Sequence, residues 1–203
     1  MRYLGIALFA EGPTDHAFLG PVLGRLCTEL CLQEGQSPVD VGPVHELHTP
    51  PGLRGASRED RILEAARAAQ GEWSLLFIHT DGAGDPAGAR RERIDPAARR
   101  IAAELGEAQQ RSVAVVPVRE TEAWMLSDAD AVTTAFGTRK APAALGMPAR
   151  PRDVEGLTDP KQVIEAVYRE ARGGRVSRRD RPVGRFSLIG EHARLDVLTG
   201  VPA

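Results

Sequence analysis

Acidic side chains stand where three apolar runs of this chain stop. Glu11 follows ALFA in ALFAEGPTD, Asp81 follows LFIHT with Asp85 close behind it in DGAGD, and Glu120 and Glu122 follow VAVVPVR in RETEAW. His79 lies two residues before Asp81. Carboxylates gathered in one place repel, and a divalent cation relieves that repulsion. The donors are hard oxygens without a convincing set of histidines or cysteines, so magnesium suits them better than zinc. Magnesium at a carboxylate cluster typically serves phosphoryl chemistry, by activating water or by holding the attacking and leaving oxygens. Each acid taken singly is as readily a helix cap or a first-turn residue that answers the helix dipole.

For those acids to meet, the elements before them must be parallel neighbours. Residues 3–10, 74–80 and 112–118 read as buried strands, with a weaker strand at 39–48. Helix signals follow each strand. One starts at Thr14 or Asp15, either of which can cap it, with Pro21 marking a kink or a later start. A second starts at Ser57 with Asp60 in capping-box spacing, a third at Asp95 and Pro96, and a fourth within RETEAWMLSD. This alternation predicts an α/β fold, a mainly parallel sheet with helices on both faces. Ligands of such sheets bind beyond the carboxyl ends of the strands, where all the acids above would fall.

The expected division is a core over residues 1–130 and an irregular, mostly helical extension over 131–203, packed on the core. The extension contains one clear helix, from Asp159 and Pro160 to Gly173 and Gly174.

Composition limits the function classes. A chain of 203 residues, 42% hydrophobic and 27% charged, is ordinary for a globular protein. Its apolar runs are strand-length, which excludes a membrane span and favours a cytoplasmic protein. Cys27 and Cys31, four apart on a helix, lack the partners of a zinc site and read as small hydrophobes. Neither EGPTD nor DGAGD is a Walker phosphate loop: the first has a proline without an N–H, and the second lacks a nearby lysine. The net charge of −2 hides a basic run, Arg172 to Arg185. Lys161, Arg175, Arg178, Arg179 and Arg181 are candidate contacts to a nucleic-acid backbone. Aromatic residues make up only 4%, so stacking on single strands is poorly supported.

In order, E-G-x-T-D, TDG and E-T-E-A-W resemble the Toprim fold of topoisomerases, bacterial primases and the overcoming-lysogenization-defect (OLD) nucleases. EGPTDHAFL with ETEAWMLSD is similar above all to small prokaryotic Toprim-like proteins related to OLD nucleases. The likeness spans residues 3–130, with DPK at 159–161 as a weaker echo. It implies a Rossmann-like Toprim sheet in which Glu11, Asp81, Glu120 and Glu122 hold one or two Mg²⁺ (or Mn²⁺) ions and hydrolyse DNA or RNA. It also implies a role in phage defence beside an ATPase partner. Where the family has the first aspartate of D-x-D, this chain has His79, which weakens one metal site or shifts it towards manganese. Asp85 is a possible substitute ligand. Trp124 and Met125 are expected in the core, and neither Tyr3 nor Tyr168 sits where a covalent step needs it. Two alternatives stand beside the nuclease: a Toprim-like nucleic-acid-binding or regulatory subunit with a degenerate site, and, last, a phosphotransferase or phosphohydrolase acting on small molecules.

Overall fold

The computed structural model describes residues 2–35, 37–106, 111–174 and 181–202. Four strands, β1 (Arg2–Phe9), β2 (Val39–Leu47), β3 (Leu75–His79) and β4 (Arg111–Val115), form one sheet in the order β2-β1-β3-β4. Every neighbouring pair is parallel, as the alternation of elements predicts. Side chains alternate between two cores. Ile6, Leu8 and Phe77 pack with Phe18, Leu19 and Val22 on one face. Ala7, Phe9, Leu76 and Ile78 pack with Ile62, Leu63 and Ile101 on the other. Burial on both faces is why β1 and β3 read as unbroken apolar runs rather than alternating ones.

The first face is covered by α1 (Pro13–Glu34), α5 (Thr121–Leu126), α6 (Ala129–Phe136), α7 (Pro160–Ala171) and α8 (Phe186–His192). The second face carries α2 (Arg58–Ala68) and α4 (Asp95–Leu105), with α3 (Pro86–Arg93) leading into α4. A last short helix, α9 (Leu195–Leu198), closes the described chain. The C-terminal helices share the first core: Phe136, Ile164, Val167, Phe186 and Ile189 join Phe18 there. At Gly190 of α8 an added Cβ would meet the Phe18 carbonyl oxygen at 2.4 Å, so this crossing requires glycine.

Several boundaries differ from expectation. α1 begins at Pro13 with Gly12 as its cap residue, and it runs through Pro21 without interruption. α3 was not anticipated: Asp85 caps it and Pro86 takes its first position. Asp95 lies inside α4, after Ile94, rather than at its cap. β4 ends at Val115, short of 118, because the next carbonyls serve another purpose. Those of Pro117, Val118 and Arg119 accept the N–H groups of Gly82, Gly84 and Ala83. The stretch between α6 and α7 is irregular as expected, apart from two 3-10 turns, Pro142–Leu145 and Pro151–Gly156.

Strand order matters for function. From β1 the chain crosses to β2 on one side, while β3 lies on the other. The carboxyl ends of β1 and β3 therefore flank the topological switch point, where open parallel sheets leave a crevice.

Candidate metal centre

Three segments feed this crevice. β1 ends into Glu11 and the first turn of α1, β3 ends at His79, Thr80 and Asp81, and the loop after β4 delivers Glu120, Thr121 and Glu122. The loop after β3 is zipped onto the loop after β4 by the three backbone bonds above, with Asp85 N–H returning to Gly82. A Cβ on Gly82 would lie 2.3 Å from the Pro117 oxygen and 2.7 Å from that of Val118, which explains the glycine. With the N–H groups of Gly82, Ala83, Gly84 and Asp85 spent on carbonyls, DGAGD has no row of free donors to cradle a phosphate.

At the centre stands His79, 0% exposed. Its Nε2 lies 3.0 Å from Thr121 Oγ1 and 3.6 Å from Asp81 Oδ1. Its Nδ1 lies 4.0 Å from Asp15 Oδ2 and has no hydrogen-bond partner among the described residues. Burial, the largest effect, lowers the His79 pKa to about 4 against the pull of Asp15 and Glu11, so the imidazole is neutral at neutral pH. A neutral imidazole with a free ring nitrogen is the form that ligates metals.

Two carboxylates accompany it. Asp15, 7% exposed, accepts the Gly12 N–H at 3.0 Å, reaching back across the first turn of α1. Asp81 accepts the Thr121 N–H at 3.3 Å. Burial first, and then Asp15, push Asp81 up to about 6, with Lys161 opposing. One ligand atom from each of Asp15, His79 and Asp81 lies within 4.8 Å of the others. A buried acid, a half-buried acid and a neutral imidazole form a donor set that can hold a divalent ion. The orphaned Nδ1 supports that fit.

The remaining acids have other occupations. Glu11 Oε1 accepts from Thr80 Oγ1 at 2.6 Å and pairs with Arg58 Nη1 at 2.9 Å, so it flanks the three-residue group rather than joining it. Glu120 pairs with Lys161 Nζ at 3.2 Å. Lys161 thus reaches the site but spends its charge on a carboxylate. Glu122, 4% exposed, is pushed up to about 7, chiefly by burial, with Lys161 opposing. Asp85 accepts the Gly88 N–H at 2.9 Å and acts as the cap of α3. Arg181 is exposed, and Arg175, Arg178 and Arg179 lie outside the described residues. Met125 is buried, and Trp124 donates its indole N–H to Glu155 Oε1 at 3.0 Å; both are core contacts, as expected.

Asp15 is the ligand candidate that sequence reading assigned only to capping. Its place in E-G-P-T-D made both roles available, and the backbone bond to Gly12 shows that it fills the structural one as well. Arg58 and Thr80, the partners of Glu11, carried no motif that could have flagged them.

A family model, Domain of unknown function (DUF4276), matches residues 10–199, and the chain belongs to that family. No curated protein and no solved structure matches it.

Proposed function

We propose that this DUF4276 chain is a divalent-metal-dependent phosphodiesterase that hydrolyses DNA or RNA. One observation carries the reading: Asp15, His79 and Asp81 meet at the switch point of a parallel sheet, with a buried imidazole nitrogen left unpartnered. A cation bound there supplies Lewis acidity at a phosphoryl oxygen and lowers the pKa of bound water. Asp15 and Asp81 contribute anionic oxygens and His79 a nitrogen, a mixture that favours Mn²⁺ over Mg²⁺. Glu122, pushed up to about 7 chiefly by burial, would carry a proton over part of the working pH range. Thr121 fixes the ring of His79 and, through its N–H, the carboxylate of Asp81. The OLD-like resemblance supports a cytoplasmic role in phage defence beside an ATPase partner, for which co-purification from the native host is the test.

Purified protein incubated with Mn²⁺ or Mg²⁺ and single- and double-stranded DNA and RNA tests the activity. Cleavage is expected with Mn²⁺, lost in EDTA and reduced at least about a hundredfold in Asp81→Asn. Equal cleavage by wild type and variant would mark contamination and end the proposal.

The lock on Glu11 favours a second reading. Glu11 is held by Arg58 and Thr80, which suits a subunit that binds nucleic acid without cutting it. Nucleic-acid binding that survives EDTA, with no heat of divalent-ion binding, would select that reading over the hydrolase.

A further inference from the structure

Beside Glu11 lies a cavity of about 490 Å³, lined by Glu11, Thr49, Arg58, Arg61 and Arg93 together with Phe9. Its charge is unbalanced. Three guanidinium groups face one carboxylate, an excess of two positive charges in a space of small-ligand size. Arg58 is held in place: Nε donates to the Arg93 carbonyl at 3.2 Å, Nη2 to the His79 carbonyl at 2.7 Å, and Nη1 pairs with Glu11. Arg93 Nη1 lies 3.9 Å from the same Glu11 oxygen. Arg61 lines the same cavity and makes no ion pair among the described residues. Packing like charges together is costly, and that cost points to a missing anion.

We propose that this cavity is a phosphate subsite that takes a dianionic phosphate monoester. A dianion matches the excess of two charges, and tetrahedral oxygens suit the forked donors of several guanidinium groups at once. A monoanionic phosphodiester or carboxylate would leave one charge uncompensated. Glu11 links the cavity to the metal centre: its Oε1 pairs with Arg58, lies 3.9 Å from Arg93 and accepts from Thr80, the residue after His79. The source of the monoester, the terminal phosphate of a nucleic-acid strand held beside the metal centre, rests on the hydrolase reading above.

Calorimetric titration of the full chain with inorganic phosphate tests the subsite. Saturable binding is expected, weakened about tenfold or more in Arg61→Gln and in the more exposed Arg93→Gln. The second arginine variant serves if the first does not fold, as judged by circular dichroism. Absence of saturable phosphate binding in the millimolar range, or equal affinity in wild type and both arginine variants, overturns the subsite. Oligonucleotides bearing a 5′-phosphate, a 3′-phosphate or only hydroxyl ends then separate the sources. One phosphorylated end is expected to bind about tenfold more tightly than the hydroxyl form, with the advantage lost in Arg61→Gln. No advantage for either end, with inorganic phosphate still bound, overturns the strand-end assignment in favour of free phosphate. Phosphate binding in a protein that cleaves nothing with Mn²⁺ would sink the hydrolase reading and leave the subsite standing.

Discussion

His79 is a departure from the acidic pattern that the flanking motifs imply, and its surroundings show how it can still serve a metal. Burial keeps it uncharged, Thr121 holds one nitrogen, and Asp15 faces the other. Asp81 titrates at about 6, so proton competition should weaken cation binding below that pH. Mn²⁺ affinity measured by calorimetry is expected to rise between pH 5 and 7 by about tenfold or more, and to fall at least about a hundredfold in Asp81→Asn at pH 7.5. An affinity flat across that range would remove Asp81 from the ligand set. Glu11, Asp81, Glu120 and Glu122 were all legible as acids at strand ends. Their division of labour was not, because it depends on Arg58 and Lys161, which arrive from distant helices. Asp15 was hidden for a related reason. A first-turn aspartate is always explained well enough by its helix.

At the scale of elements, the site depends on two loops held together. The N–H groups after β3 bind the carbonyls after β4, and Gly82 is the point of closest approach. Gly82→Ala is expected to cost about 1–3 kcal/mol in urea denaturation, since its Cβ would overlap two backbone oxygens. The same variant should lose Mn²⁺ binding while keeping its far-UV circular dichroism, because Asp81 sits beside the displaced residue. Unchanged stability and metal affinity would refute the zipper. The strands, and the capping of α2 by Ser57 and of α7 by Asp159, were readable from local pattern. α3 was missed because eight residues containing three arginines have no apolar stripe: only Gly88 is buried. The end of β4 was misplaced because Val116, Pro117 and Val118 are apolar, and apolar runs do not reveal where ladder hydrogen bonding stops.

For the molecule as a whole, buried carboxyl groups tie stability to pH. Glu122 carries a pKa of about 7 when folded, against 4.5 ordinarily, so the folded state keeps a proton that the unfolded chain releases. Its contribution is fully present below pH 4.5 and lost as pH rises through 7, amounting to about 3 kcal/mol. Asp81, raised, and His79, lowered, shift in opposite directions and largely offset each other across the same window. In EDTA, Glu122→Gln should therefore match wild type near pH 4.5 and exceed it by about 2–3 kcal/mol at pH 8. A constant difference at both pH values would show that folding does not raise the Glu122 pKa. Among the described residues no helix is long and apolar enough to cross a membrane, and one face of the sheet shares its core with the C-terminal helices. Those helices also hold Lys161 against Glu120, so the part of the chain with the weakest sequence signal still helps to build the site. The measurement that bears most directly on the account is anomalous diffraction from crystals soaked in Mn²⁺. The expected result is a peak bounded by Asp15, His79 and Asp81. A peak held instead by Glu120 and Glu122, or none at all with the crevice open to solvent, would contradict the metal centre.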